Sequence, residues 1–460
     1  MKEKKNNIKE YSILGKTVFI HPSSGFFSFN RFEILQNFAA APNFDLFRPN
    51  FLDYNAETTS ITFCINISDA CNLRCDYCFN ALKKNKSLRI ETILDYLVKC
   101  FNAFPNKEKY YVDLSGKGEP LLFLQEILEI KKFCDAKSNE INREILVQFV
   151  CNGTLLDEIT ASILQKNGIL FGVSLDGNEM VHNKHRKTKD GKPTYQAIIN
   201  NVKNIQHHEY VGVACTLTKD VFSLKESILE LSKIFNTISY KPCRDCDFSI
   251  DSKTIESWNY SYDELVTFLL KESIRGNLKY IKILLNGEDY LGKFIKRIFL
   301  GQRCIIRCDA GIGRFALDED GKIYACPASF KLNKMLVGDS DRFFSKKIAK
   351  LFDIQRKKDG CQKCDFRHFC GGECLIEKTI SKGINKTMCK YKTHLILLAM
   401  FFASELWNNN HVSYVEIYNF CVEVDNRRKL DKELNIYLKT HPEYNFITGK
   451  QRYDQENKKY

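Results

Sequence analysis

No apolar run in this chain is long enough to span a membrane. The longest, Leu395 to Ala403, has nine residues, about half of the roughly 18 that a span needs, so a core helix is expected there. Behind the polar start, Met1 to Asn7, lies no apolar stretch of the kind a secretory signal requires. A cytoplasmic location is therefore expected. No block of like charge stands out either. The formal charge is +13, from 69 basic and 56 acidic residues, with lysines scattered along the whole length. That scatter reads as a solvated basic surface, with an acidic peptide partner as the sharper alternative. No nucleic-acid-binding motif accompanies it. Apolar residues at 44% and aromatics at 12% exclude a disordered chain.

Cysteine is abundant instead. A chain of 460 residues with 19 cysteines, expected in the reducing cytosol, points to metal or redox chemistry and away from a disulfide framework. Three of them fall between Cys71 and Cys78, and eight more between Cys304 and Cys389. The others are Cys64, Cys100, Cys134, Cys151, Cys215, Cys243, Cys246 and Cys421. Most of these are expected in the core, while Cys243 and Cys246 form a C-x2-C pair expected at a barrel mouth.

The patterning predicts an α/β fold. Residues 12–39 read as a small α+β unit: strands at Lys16–Ile20 and Phe26–Phe29, a turn at His21–Gly25, and a helix at Arg31–Ala40. Residues 41–58 read as a linker. Ser60–Ser68 then alternates, with Ile61, Phe63, Ile65 and Ile67 on one face. Further strands are expected at Tyr110–Ser115, Ile145–Cys151, Ile169–Leu175, Val211–Leu217 and Ile238–Lys241. Helices are expected at Ile90–Ala103, Phe123–Asp135, Leu155–Lys166, Tyr195–His207 and Leu224–Phe235. Six strand–helix repeats with right-handed crossovers make a partial (β/α)6 TIM-like barrel, whose chemistry belongs at the C-terminal strand ends. Residues 250–300 and 391–422 read as helical. Periodicity fades from Cys304 to Cys389, where metal ligation is the expected staple. The polar end, Gly449 to Tyr460, is expected to be mobile. The domains expected are 1–58, 59–250, 251–303, 304–392 and 393–460.

Cys71, Cys75 and Cys78 form C-x3-C-x2-C with Tyr77 before the last cysteine. Three thiolates satisfy three irons of a 4Fe–4S cubane and leave one open for a small molecule. A zinc knuckle is the alternative, but it prefers four ligands and no fourth Cys or His lies close by.

This loop after the first barrel strand resembles the radical S-adenosylmethionine (SAM) superfamily. There the open iron binds the amino and carboxylate groups of SAM, and reduction yields methionine and a 5′-deoxyadenosyl radical. Further matches follow in order. Ser115 to Pro120 resembles the glycine–glutamate–proline motif, which implies that Gly116, Gly118 and Glu119 receive the SAM amino group; Lys117 stands where many members carry a second glycine. Cys151-Asn152-Gly153-Thr154 resembles the family's asparagine–glycine turn, which brings in Asn152. Ser174-Leu175-Asp176-Gly177, then His182 to Arg186 and Gly191 to Tyr195, is similar to the peptide- and protein-modifying branch. By that match Ser174 and Arg186 contact SAM, and Asn183 replaces the usual Asp.

The second array runs Cys304-x3-Cys308-x12-Gly321-x4-Cys326, then Cys361-x2-Cys364-x5-Cys370-x3-Cys374, then Cys389. Eight thiolates divide into two four-cysteine sites, and two structural zincs are the alternative. The spacing resembles the SPASM extension, which implies two auxiliary 4Fe–4S clusters. By the resemblance the nearer takes Cys304, Cys308, Cys326 and Cys374, and the farther Cys361, Cys364, Cys370 and Cys389.

The resemblance implies an enzyme acting on a precursor peptide, closing a thioether or carbon–carbon crosslink, with an electron donor such as flavodoxin or ferredoxin. The N-terminal unit resembles the start of a peptide-recognition module. Sulfatase-maturating members commonly carry an Asp after the cysteine that here is Cys326; this chain has Pro327. Side-chain oxidation of a protein and a non-catalytic metal-binding scaffold are the alternatives.

Overall fold

A computed structural model describes residues 8–22, 26–29, 60–78, 85–208, 211–220, 222–243, 250–287, 289–301, 304, 308–330, 332–339, 342–356, 361, 363–380 and 385–428. The helix expected at Arg31–Ala40, the linker, Cys246 and the polar end lie outside these residues.

Six parallel strands form the barrel sheet: β4 (Ser60–Ile65), β5 (Lys109–Asp113), β6 (Glu144–Cys151), β7 (Leu170–Ser174), β8 (Gly212–Leu217) and β9 (Thr237–Pro242). Strands β5, β6 and β8 alternate buried and less buried positions, the period-2 signal of one covered face. β4 differs from the expectation of a single apolar face. Thr62 and Cys64 are buried as well as Ile61, Phe63 and Ile65, because this strand has a neighbour on each edge and cover on both sides. It also ends at Ile65, three residues earlier than Ser68.

Helices alternate with the strands. α1 (Ile90–Ala103) buries Ile93, Tyr96, Leu97, Cys100 and Phe101, a spacing of three and four that makes one apolar stripe. α2 is Leu124–Ile141 and outruns the expected end at Asp135; its C-cap Asn142 is left-handed, with φ 50. α3 (Glu158–Lys166), α4 (Glu179–His185) and α6 (Leu224–Leu231) start on side-chain caps from Asp157, Asn178 and Ser223. Those caps place α3 later than Leu155. α5 is Tyr195–Lys203, ending before His207, and α6 stops before Phe235.

The cysteine-rich segment holds more regular structure than its faded periodicity suggests. β10 (Arg314–Leu317) pairs parallel to β4; β11 (Lys322–Tyr324) and β12 (Leu336–Asp339) continue antiparallel, giving one nine-stranded sheet. The barrel and the cysteine extension thus share hydrogen bonds through β4 and β10.

Beyond the barrel, α7 (Ser252–Ile274), α8 (Lys279–Asn286) and α9 (Tyr290–Phe299) precede the array. α10 (Ser345–Arg356), α11 (Arg367–Cys370) and α12 (Leu375–Ile380) lie within it, and α13 (Lys386–Asn409) and α14 (His411–Arg428) follow. Leu395 to Ala403 lies buried in α13, as expected of a core helix. Tyr391 of α13 packs against Trp258, Tyr262 and Tyr290. The boundary expected at 392/393 falls inside this helix. Among the described residues, no helix is long and apolar enough to cross a membrane.

The N-terminal strands β1 (Lys9–Ile13), β2 (Lys16–His21) and β3 (Phe26–Ser28) form a separate antiparallel sheet. It docks on the array and α13: Tyr11 meets Phe366 and hydrogen-bonds Asp365, Phe27 meets Phe369, Phe29 meets Phe401, and Lys16 pairs with Glu405.

Candidate active site

Cys71, Cys75 and Cys78 occupy the loop after β4. A bridge between Leu73 and Thr188 pins that loop to the segment behind α4, with Arg74 N–H donating to Lys187 O at 2.8 Å and Asp76 N–H to His185 O at 3.0 Å. Leu73 N–H reaches Cys71 Sγ at 3.4 Å. All three thiols are half-buried. Burial pushes the Cys75 thiol up to about 11; Arg186 opposes the rise, and the adjacent Cys78 and Cys71 add to it.

The glycine–glutamate–proline loop follows β5. A Cβ on Gly118 would meet the main-chain oxygens of Ala70 and Ser68 at 2.4 Å, and one on Gly116 would meet Asn66 Oδ1 at 2.2 Å. The loop therefore approaches the backbone just before Cys71 more closely than any side chain permits. Glu119 N–H donates to Ala70 O at 2.8 Å. The buried Glu119 carboxylate accepts from Leu121 N–H at 3.1 Å and Asn152 N–H at 2.7 Å. A buried carboxylate at this place suits an ammonium group.

Asn152 follows β6. Its Nδ2 donates to Asn72 Oδ1 at 2.7 Å and lies 4.0 Å from Cys71 Sγ. Its Oδ1 accepts from Thr154 N–H at 2.9 Å and Thr154 Oγ1 at 2.7 Å. Gly153 turns here with φ +79, a left-handed value that suits glycine. Ser174 ends β7, half-buried and opposite Ala214.

Arg186 is buried, and its Nε donates to Asp176 Oδ2 at 2.9 Å. Tyr77 hydrogen-bonds the same carboxylate and lies under the guanidinium, 5.3 Å away. Asp176 Oδ1 accepts from Thr216 N–H at 2.8 Å. His182 Nδ1 accepts from Asp176 N–H at 3.2 Å, so its Nε2 carries the proton toward Thr194 Oγ1 at 2.9 Å. Burial, then the charge of Arg186, holds the His182 pKa down to about 3. His182 is therefore neutral near pH 7, with both ring nitrogens engaged in hydrogen bonds.

The second array is partly gathered by the fold. Cys370 and Cys361 bear electrostatically on both Cys364 and Cys389, which brings all four thiols of the farther set into one locality. Burial pushes the Cys389 thiol up to about 11. In the nearer set, Cys304, Cys326 and Cys374 are buried and Cys308 is half-buried. Gly311 N–H donates to Ala325 O at 2.9 Å, tying the Cys308 loop beside Cys326, and Cys304 N–H donates to His368 O at 2.7 Å. Cys243 is buried below the end of β9, its N–H on Leu217 O at 2.8 Å. Cys64, Cys100, Cys134, Cys151, Cys215 and Cys421 lie in the core.

Residues 65–218, which carry the cysteine loop, the glycine–glutamate–proline loop, Asn152, Ser174 and Arg186, match the model of the radical SAM superfamily. The chain carries a radical SAM domain and is an enzyme. The cysteine-type anaerobic sulfatase-maturating enzyme of Clostridium perfringens is 24% identical over 335 residues, covering 67% of this chain and 86% of that protein. The serine-type enzyme of Bacteroides thetaiotaomicron is 23% identical, covering 74% of this chain and 91% of that protein. Two solved structures share the fold. The anaerobic sulfatase-maturating enzyme anSMEcpe with bound AdoMet and a peptide aligns at TM-score 0.60 and 19% identity, over 78% of this chain and 99% of that one. SuiB of Streptococcus suis bound to S-adenosylmethionine aligns at TM-score 0.50 and 12% identity, over 82% of this chain and 96% of that one.

A radical SAM enzyme needs a 4Fe–4S cluster and SAM, and the donor chemistry here fits both. The cysteine loop offers three thiols, and beside it lie the Glu119 carboxylate and the Arg186 guanidinium, groups that suit an ammonium and a carboxylate. Among the described residues, no three His, Cys, Asp or Glu side chains gather tightly enough for a single metal ion. The cysteines of a cubane each bind a different iron and need not be that close. Sequence reasoning missed Asp176 and Tyr77 as partners of Arg186. It also missed Asn66 and Glu319, which hold Lys117. The acidic run Asp318 to Asp320 ahead of Gly321 was the one visible signal for the last.

Proposed function

We propose that this radical SAM enzyme modifies a ribosomally made precursor peptide, closing a thioether or carbon–carbon crosslink. The observation that carries the reading is the meeting of the cysteine loop with Glu119, Asn152 and Arg186 at the C-terminal strand ends, in one sheet with the array segment. In this reading Cys71, Cys75 and Cys78 hold the cluster. Glu119 pairs its carboxylate with the SAM ammonium, and the backbone at Gly116 and Gly118 lets the ligand approach. Arg186, oriented by Asp176 and with one outer nitrogen 3.5 Å from Thr216 Oγ1, pairs its guanidinium with the SAM carboxylate, and Ser174 and Asn152 complete the pocket. When bound, the cluster on Cys71, Cys75 and Cys78 would pass one electron from the external donor, SAM would supply the hydrogen-abstracting carbon radical, and the auxiliary clusters would accept the electron that crosslink closure releases. Cys304, Cys308, Cys326 and Cys374 form the nearer auxiliary site, and Cys361, Cys364, Cys370 and Cys389 the farther. An external one-electron donor of the flavodoxin or ferredoxin class completes the cycle.

The sulfatase-maturating relatives favour a second reading, oxidation of a protein side chain. Against it stands Pro327, which opens a short 3-10 turn after Cys326 and has no carboxylate to offer.

Anaerobic reconstitution tests the proposal. About twelve irons are expected in the wild type, falling by about four in Cys71/Cys75/Cys78→Ala with loss of 5′-deoxyadenosine. Zinc in place of iron, or no SAM cleavage by the reduced wild type, sinks it. Mass spectrometry of a peptide product separates a crosslink from an oxidised side chain.

A further inference from the structure

The glycine–glutamate–proline loop carries a lysine between its two glycines, and that side chain turns inward. Lys117 Nζ lies 2.8 and 2.7 Å from the two carboxylate oxygens of Glu319, with both side chains buried. It also sits 4.5 Å from the centre of the Phe330 ring. Glu319 belongs to the turn between β10 and β11, seven residues before Cys326. A second path runs beside the first. Asn66 Nδ2 donates to Glu319 Oε2 at 3.0 Å, while Asn66 Oδ1 accepts the main-chain N–H of Lys117 at 2.7 Å. Glu319 therefore holds the loop twice, by the Lys117 side chain and, through Asn66, by the Lys117 backbone.

We propose that Lys117 and Glu319 are positioning residues that set the SAM-binding loop from the cysteine-array side. The inference rests on the radical SAM reading of that loop. On its other side the loop is held by Glu119 N–H on Ala70 O, one residue before Cys71. The carboxylate of Glu119 is thus fixed between the cysteine loop and the array turn. Stability alone is a poor reason for this pair. A buried ion pair recovers little more than its desolvation cost, and apolar replacements are often neutral. What the pair supplies is a fixed distance and direction, because Asn66 and Lys117 satisfy Glu319 in one geometry.

The test is equilibrium binding of SAM to the anaerobically reconstituted protein without reductant, so that no turnover is needed. Lys117→Met/Glu319→Gln removes both charges and avoids a stranded one. It is expected to load wild-type iron and to bind SAM about tenfold more weakly, with KM for SAM raised and kcat nearly unchanged. Asn66→Leu keeps the ion pair and cuts the backbone path, and a similar loss of SAM affinity is expected. Wild-type SAM affinity in both loaded variants overturns the inference. Failure of the wild type itself to bind SAM overturns the underlying reading, and the inference with it.

Discussion

Arg186 and Asp176 meet 2.9 Å apart inside the barrel, and the Asp176 side chain is fully buried. Asp176→Asn removes the counter-charge and leaves the guanidinium buried. A loss of about 3–5 kcal/mol is expected, read as a lower denaturant midpoint with an unchanged slope. Tyr77 shares the same carboxylate, so the cysteine loop is expected to loosen and to exchange its amide hydrogens faster. A variant as stable as the wild type contradicts the buried pairing.

Gly118→Ala places a methyl group where the main-chain oxygens of Ala70 and Ser68 already stand. Neither oxygen belongs to a flexible side chain, so the loop itself must shift. SAM affinity is expected to fall at least tenfold, while iron content stays near that of the wild type. Calorimetric titration with SAM checks this.

His182 gives a pH signature. Its folded pKa is depressed to about 3 from 6.5, so the folded state binds fewer protons than the unfolded one between those values. Stability from this group is fully present above about pH 6.5 and falls as pH drops toward 3, by at most about 1.4 kcal/mol per pH unit. His182→Gln is expected to flatten that part of the stability profile. Chemical denaturation from pH 7 down to pH 5 tests it.

Asp289 has the opposite sign. It caps α9, accepting from Gly292 N–H at 2.5 Å, while its other oxygen is buried without a hydrogen-bond partner. Burial raises its pKa to about 7 from 3.8, opposed by the Gly292 N–H and by Lys296, Lys293 and Lys241. The folded state therefore binds more protons in that window, and stability from this group falls as pH rises through it. Asp289→Asn keeps the capping acceptor and removes the buried charge. It is expected to raise the melting temperature at pH 8 and to change it little at pH 4. A lower melting temperature at pH 8 contradicts this.

Much of the site was legible because it is written in short local patterns. The C-x3-C-x2-C loop, the Gly116–Glu119 loop and the asparagine–glycine turn each sit within a few residues, directly after a strand. Strand and helix positions followed from periods of two and of three to four. The ends were less legible, because caps such as Asp157 and Asn178 decide them by a single hydrogen bond. The helix extension to Ile141 depended on a left-handed Asn142, which no periodicity signals.

The sequence by itself determined the chemistry: three thiols in one loop, eight in an array, and a carboxylate and a guanidinium at strand ends. Local order suffices for that, because residues a few positions apart on a loop stay together in any fold of it. Tertiary structure alone decided what those groups face. Glu319 lies 202 positions from Lys117, and β10 pairs with β4 across about 250 residues. Such partners are selected by burial and hydrogen-bond satisfaction across the whole core, and no spacing along the chain encodes them.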